Sequence, residues 1–490
     1  LVRASRWQAL RPYIDPDADG PLERLPFASP FHGAVQCEDY QLVPLARALA
    51  MPRVNLMIAD DVGLGKTIEA GLVIAELLLR RRIQRILVIT PASLASQWVT
   101  EMQDKFSLPF TMVDRAETLA LRKQNGLDAN PWRYYNRIVA SYHYLKQPDV
   151  FDEFCRASER PDGDPRPAWD LLIVDECHNL TPSVFGDDSD LCRMLRLLTG
   201  NFQHRIFLSA TPHNGHTRSF TGLLEILDPV RFSQRSELTA ADRERIPQTV
   251  IRRLKSDINT DSPEARFCTR LPPAAITLDF SPAELAVHEA FEAFRSALRE
   301  HVRDSDGGSR AGTFAVEILG KRLLSCPFAF AESWARCRNG LQEENKESAD
   351  DAERGVHDAR REIENEIADD AQMQARQDMA ALAVGAWLAV HAKALAGQIQ
   401  SVTDALDNIG LSSEAVAREA SPTADARMDA LLSMIESKLR SGNEWRTDER
   451  LVVFTEYKTT LDHIVRALRV KYGEDAPLCL LYGGMDSAER

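Results

Sequence analysis

Between residues 54 and 209 the chain alternates short, continuous apolar runs with stretches of helical periodicity. The apolar runs fall at 55–59, 86–90, 138–141, 171–174 and 206–209. Strands that are apolar along their whole length are buried on both faces, so this part predicts a doubly wound parallel α/β sheet with helices on either side. Ligands of such a sheet collect at the carboxyl ends of its strands. Past Leu271-Pro272-Pro273 the pattern changes. Residues 280–440 are rich in Ala, Glu, Leu and Arg at helical spacing, with a loop predicted at 304–308. A β-branched apolar run returns at 451–455, followed by a helix from about Thr459 and a short run at 478–482, the pattern of a second α/β lobe opening.

Composition adjusts this picture in three places. A chain of 490 residues with 44% hydrophobic content exceeds one compact core and predicts two or three domains. The longest apolar stretch, 379–390, ends at His391 and suits a buried helix better than a bilayer span, so no membrane partner is expected. The 8 cysteines form no Cys-x-x-Cys pair, and the start shows no signal-peptide pattern. Both features predict a reduced, cytoplasmic protein without a disulfide framework or zinc ribbon.

A net charge of −14 argues against a nucleic-acid partner until its distribution is considered. Residues 341–376 hold 12 acidic and 5 basic side chains, which read as a solvated helix face. Basic clusters stand elsewhere, at Arg80-Arg81-Arg82 with Arg85 and at Arg252-Arg253 with Lys255. An acidic whole with a basic groove is compatible with binding DNA.

The candidate chemistry begins where the first apolar run ends, at Asp60-Asp61-Val62-Gly63-Leu64-Gly65-Lys66-Thr67-Ile68-Glu69-Ala70-Gly71. Gly63 and Gly65 let successive N–H groups converge on phosphate oxygens, and a helix starting near Lys66 adds its positive N-terminal dipole. Lys66 would reach the β- and γ-phosphates of ATP, and Thr67 would ligate Mg²⁺. The simple P-loop pattern has Gly where this chain has Asp60. A second site follows the run 171–174, in Asp175-Glu176-Cys177-His178. Adjacent carboxylates at a strand end suit a Mg²⁺-dependent ATPase, Asp175 orienting the metal's water shell and Glu176 polarising the attacking water. Cys177 reads as a small packing residue. His213-Asn214-Gly215-His216 reads as a polar turn, since no third metal ligand accompanies it.

Taken in order, these segments resemble the superfamily-two helicase-like ATPases, in particular the Swi/Snf-type group, which tolerates Asp at position 60. The ending Thr67-Ile68-Glu69-Ala70-Gly71 is closer to the bacterial RapA-like branch. The resemblance implies a RecA-like fold of the P-loop NTPase kind and ATP with Mg²⁺ as ligands. It places Gln41, Asp61, Gly63, Leu64, Gly65, Lys66, Thr67 and Ile68 at the nucleotide, with the Gln41 amide reading adenine. It makes Lys66, Asp175 and Glu176 catalytic and Thr67 and Asp175 metal-holding. It gives His178, Ser209 and Thr211 the coupling of hydrolysis to nucleic acid. It sets Pro91, Ser93 and Ser141, with Trp98 nearby, against the nucleic-acid backbone. Ile251-Arg252-Arg253-Leu254-Lys255 and Lys321-Arg322-Leu323-Leu324-Ser325 resemble signatures between the two lobes, and Phe454-Thr455-Glu456-Tyr457 with Tyr482-Gly483-Gly484-Met485 resembles the start of the second.

The resulting division is an N-terminal segment over 1–52, a first RecA-like lobe over 53–270, a helical insertion over 271–445 and the beginning of a second RecA-like lobe over 446–490. The second-lobe motif that carries arginine fingers does not occur in the 490 residues, so the resemblance implies slow turnover for this stretch alone. The implied function is an ATP-dependent translocase on double-stranded DNA. Asp60-Asp61-Val62 and Tyr40-Gln41-Leu42-Val43-Pro44-Leu45 favour the Swi/Snf-like component of DISARM phage-defence systems, with its protein partners, over a RapA-like ATPase that recycles RNA polymerase. A nucleotide-switched scaffold with little turnover is the rival from another class. A small-molecule kinase would make the Asp-Glu-Cys-His box and Ser209-Ala210-Thr211 coincidences.

Overall fold

A computed structural model describes residues 27–160, 167–184, 187–213, 215–261, 266–269, 271–302, 306–342, 354–356, 358–359, 370–483 and 485. The chain divides after Leu271 into two compact units.

The first unit is built on a seven-stranded sheet in which every pairing is parallel, in the order β3-β4-β2-β5-β6-β1-β7. The strands are β1 Asn55–Ile58, β2 Ile86–Thr90, β3 Thr111–Met112, β4 Arg137–Ser141, β5 Trp169–Val174, β6 Phe202–Leu208 and β7 Val250–Ile251. Alternate residues of each strand point to opposite faces. Leu56, Ile58, Val88, Ile173 and Ile206 therefore pack under the helices Val43–Ala50, Lys66–Leu79 and Ala92–Phe106. Met57, Leu87, Ile89, Leu172, Val174 and Phe207 pack under Pro148–Ser158, Asp190–Thr199 and Thr217–Leu227. The five strands that the apolar runs predict all form. The two edge strands β3 and β7 are two residues long and too short to leave a period in the sequence.

The second unit is helical, with one core shared by Pro282–His301, Asp306–Ser325, Pro327–Gln342 and Asp370–Asn408. Where Pro327–Gln342 crosses Asp370–Asn408 the backbones nearly touch. A Cβ at Gly385 would stand 2.0 Å from the Cys337 carbonyl oxygen, and one at Gly340 would stand 2.3 Å from that of Leu382, so only glycine fits. Asp370–Asn408 is 39 residues long, well beyond the apolar stretch seen in the sequence. Residues 373–408 are long and apolar enough to cross a membrane by length and composition, which corrects the reading of 379–390 as the limit. Ala380, Val384, Trp387, Leu388, Leu395 and Val402 are nevertheless buried in the unit's own core.

Other expectations for this unit are also corrected. Residues 306–308 are helical, not loop, while 304 and 305 lie outside the described residues. Most of the acidic stretch 341–376 lies outside them too. Neither 451–455 nor 478–482 is assigned to a strand, and Phe454 is 92% exposed. A strand needs a neighbour for its backbone N–H and C=O groups, and among the described residues none lies alongside. The chain after 446 falls within the second unit, where it forms the helix Lys458–Tyr472. Thr459 donates to Glu332 at 2.9 Å and Thr460 shares a hydrogen bond with Ser325 at 2.7 Å. The buried Arg322 lies over the Tyr457 ring at 4.4 Å, so the two resemblance segments around 322 and 457 meet.

Candidate nucleotide site

The parallel order brings the ends of β1, β5 and β6 side by side, and with them the segments at 60–67, 175–178 and 209–211. Gly63 and Gly65 have positive φ, +81° and +91°, the left-handed backbone that a phosphate loop requires. Gly65 is also confined by its surroundings, since a Cβ there would come within 2.5 Å of the Gln41 amide nitrogen. Lys66 opens the helix Lys66–Leu79, and its Nζ donates to the Asp60 carbonyl at 3.0 Å. Leu64 is buried under the turn, its carbonyl accepting from the Gln41 amide at 2.9 Å. The Gln41 Oε1 accepts from the Glu38 N–H at 3.1 Å. Gln41 is thus fixed against the loop, with one N–H and one lone pair left for a base. Asp61 accepts from the Val62 N–H at 2.9 Å, Thr67 lies in the helix's first turn, and Ile68 is buried behind it.

Asp60, the departure from the simple P-loop pattern, has a structural reason. It is fully buried and paired with Arg253, whose backbone N–H and Nε donate to Oδ1 at 3.0 and 3.1 Å while Nη2 donates to Oδ2. The same guanidinium reaches the buried Glu69 and the Tyr40 carbonyl. Burial pushes the Glu69 carboxyl up to about 9, with Asp60 adding to the rise and Arg253 opposing it.

At the end of β5, Asp175 is buried. Its Oδ2 accepts from the Trp98 indole at 2.7 Å and from Thr90 at 3.3 Å, and its Oδ1 accepts from the Glu176 N–H at 2.9 Å. Burial raises its pKa above the usual carboxylate value, and the Trp98 hydrogen bond opposes that rise. Glu176 is held in left-handed backbone, φ +46°, which is unusual for a residue with a Cβ. His178 lies 3.1 Å from its carboxylate and holds its pKa down, with Lys66 contributing. The same His178 Nδ1 lies 3.0 Å from Ser209 Oγ, which in turn accepts from the Thr211 N–H at 3.1 Å. Glu176 and Ser209 thus both approach the one nitrogen His178 Nδ1, and Ser209 continues to the Thr211 N–H. Cys177 is buried, and burial pushes its thiol up, which suits packing and not nucleophilic chemistry. His213 accepts from the Gly215 N–H at 3.0 Å, a turn contact.

Residues assigned to nucleic acid divide. Thr90 pairs with Ser141 across β2 and β4, so Pro91, Ser93 and Ser141 converge at adjoining strand ends. Ser93 is exposed, whereas Ser141 Oγ accepts from the Tyr144 N–H at 3.0 Å and caps its own short helix. Trp98 is corrected: it is buried and serves Asp175. The role of Arg253 is not legible in the sequence. Its only signal there is the signature Ile251-Arg252-Arg253-Leu254-Lys255, which lies within the first unit as β7 and its continuation.

This geometry agrees with sequence comparison. The family profile described as SNF2-related domain matches residues 40–261. Residues 40–261 are an SNF2-related domain. The chain therefore carries a Swi/Snf-type, superfamily-two helicase-like ATPase domain. Its relatives include the RNA polymerase-associated protein RapA of Histophilus somni, 35% identical over 182 residues, which are 37% of this chain and 18% of the relative. The RapA of Serratia proteamaculans is 31% identical over 196 residues, 40% of this chain and 19% of the relative. The chain thus aligns with about a fifth of the length of these relatives. The SWI2/SNF2 ATPase core of Sulfolobus solfataricus, solved in complex with dsDNA, is 18% identical with a TM-score of 0.38, covering 62% of this chain and 61% of that one.

Proposed function

We propose that the SNF2-related domain binds Mg²⁺-ATP at the loop 60–67 and hydrolyses it in response to double-stranded DNA, as the motor of a DNA translocase. The observation that carries this reading is the convergence of the Gly63-Leu64-Gly65-Lys66-Thr67 cradle with Asp175 and with Glu176 and Ser209, which both approach His178 Nδ1. The donor set fits a magnesium nucleotide: a hydroxyl in a helix's first turn, a carboxylate at a strand end, and two positive-φ glycines leaving the backbone open. Thr67 and Asp175 would hold the metal, which would supply charge neutralisation at the phosphates. Lys66 would neutralise phosphate charge, and Glu176 would hold the attacking water and take its proton. His178 would keep Glu176 ionised and transmit its position to Ser209 and Thr211. Pro91, Ser93 and Ser141 would contact the DNA backbone.

The experiment is ATP hydrolysis with and without duplex DNA, with Lys66→Ala as control. DNA-stimulated turnover lost in Lys66→Ala supports the motor. Tight ATP binding without turnover under any DNA condition would favour the nucleotide-switched scaffold.

Two cellular settings fit such a motor. The phage-defence setting rests on Asp60-Asp61-Val62 and the segment around Gln41, but the Arg253 pairing accounts for Asp60 within the fold and leaves it a weaker marker of setting. Similarity to the RapA proteins favours action on RNA polymerase. Co-migration of the chain with core RNA polymerase in gel filtration supports the polymerase setting. Loss of phage resistance on deletion, without such co-migration, supports the defence setting.

A further inference from the structure

We propose that Arg253 is a positioning residue of the nucleotide site, one that holds the phosphate loop, its following helix and the Gln41 segment in a single arrangement. The proposal rests on the reading of 60–67 as a nucleotide cradle.

The observations start from the backbone. After β7 the chain continues alongside the loop: the Ala59 N–H donates to the Ile251 carbonyl at 2.7 Å and the Asp61 N–H donates to the Arg253 carbonyl at 3.0 Å. The loop's first residues are therefore edge-paired to a segment far away in sequence. The side chain of Arg253 then turns inward and makes four connections. It meets both oxygens of Asp60 in a fork, reaches Glu69 on the first turn of the helix Lys66–Leu79, and donates to the carbonyl of Tyr40, whose ring it also overlies at 5.4 Å. Tyr40 directly precedes Gln41, the amide that touches Leu64 and abuts Gly65. Nearby, the Lys255 ammonium lies over Gly63, 3.4 Å from where a Cβ would stand.

Electrostatics gives the arrangement its consequence. A buried carboxylate at the head of an anion-binding loop opposes phosphate, and Asp60 is fully buried. A planar, permanently charged fork matches carboxylate geometry, whereas an ammonium offers a single point of charge on a flexible stem. Without the guanidinium, Asp60 would lack its counter-charge, Glu69 would lack its hydrogen-bond donor, and the loop would lose its tie to the Tyr40-Gln41 segment. The guanidinium spends its hydrogen bonds on Asp60, Glu69 and Tyr40 and not on Lys66, Thr67 or Glu176, so it acts on the nucleotide through Asp60 and Tyr40.

The test compares ATP and ADP affinity, by equilibrium binding of fluorescent analogues, for the unmodified chain, Lys66→Ala, Arg253→Lys, Arg253→Gln, Asp60→Asn and Arg253→Gln with Asp60→Asn. Melting without nucleotide is followed in parallel. Arg253→Gln should lose at least about tenfold in affinity for both nucleotides, about 1.4 kcal/mol. Arg253→Lys should keep its melting temperature closest to the unmodified chain yet recover little affinity. The doubly substituted chain should bind better than the sum of the single losses predicts, because removing the Asp60 charge removes the reason for the fork. Affinity unchanged in Arg253→Lys and Arg253→Gln, with or without a lower melting temperature, would overturn the proposal, as would strict additivity. If Lys66→Ala abolishes binding and the Arg253 variants do not, only the positioning role fails. If the unmodified chain binds neither nucleotide, the cradle reading fails and the proposal with it.

Discussion

The indole nitrogen of Trp98 donates to Oδ2 of Asp175 at 2.7 Å, joining the helix Ala92–Phe106 to the end of β5. With Thr90 at 3.3 Å it fixes the orientation of the carboxylate that would hold the metal. Trp98→Phe keeps a benzene ring but removes the pyrrole part with its N–H donor, leaving a cavity and a buried acceptor short of a partner, the latter at a cost of about 1–3 kcal/mol. The expected outcome is a lower melting temperature together with a higher Mg²⁺ concentration for half-maximal ATP binding. A Mg²⁺ titration that superimposes on that of the unmodified chain would remove Trp98 from the site.

Lys66→Ala and Glu176→Gln should fail differently. The first removes the cation that would neutralise the β- and γ-phosphates, so ATP binding should be lost. The second preserves size and leaves Asp175 in place, so ATP should still bind while turnover falls by about 10² to 10⁴. Equal loss of binding in both would contradict the roles assigned to them.

Gln41→Ala should weaken ATP more than GTP if the amide senses the adenine edge. The same side chain supports the loop through Leu64, so some loss for both nucleotides is expected. Gly65→Ala should be more severe and indifferent to the base. It places a Cβ within 2.5 Å of the Gln41 nitrogen and demands left-handed backbone of an L residue, at about 1–2 kcal/mol. Affinity measured for both nucleotides in the two variants separates base reading from loop support.

His204 gives the first unit an acid sensitivity. It is buried on β6, its Nδ1 accepts from the Val54 N–H at 3.0 Å, and burial pushes its imidazole down to about 4, with Arg82 and Arg53 adding to the fall. Its stabilising contribution is complete above the unfolded value of about 6.5 and is lost as pH falls through about 4, because the unfolded chain takes up the proton first. Melting temperature should therefore drop less steeply between those limits in His204→Asn, which keeps an acceptor and cannot be protonated there. Parallel curves for the two proteins would show that His204 does not govern the acid limb.

Much of the site was legible because its parts are local. A phosphate loop is made by neighbours in sequence, so Gly63, Gly65, Lys66 and Thr67 announce it, and Asp175 with Glu176 follows directly from an apolar run that can only be a buried strand. The five long strands were legible for the same reason, since burial on both faces leaves a continuous apolar signature. What supports the site was not legible. Trp98 and Asp175 are separated by 77 positions, Arg253 and Asp60 by 193, and no pattern within a helix or strand records which buried side chain meets which.

Residues 451–455 show the converse limit. Their β-branched, apolar character is a local property that the sequence supplies, yet a strand exists only when a neighbour takes up its backbone hydrogen bonds. Local chemistry thus determined the cradle, the carboxylate pair and the sheet's principal strands. Tertiary structure alone decided that Asp60 would be paired with Arg253, that Trp98 would face Asp175 and not a nucleic acid, and that residues 451–455 would have no strand partner among the described residues, because each depends on what folding brings close.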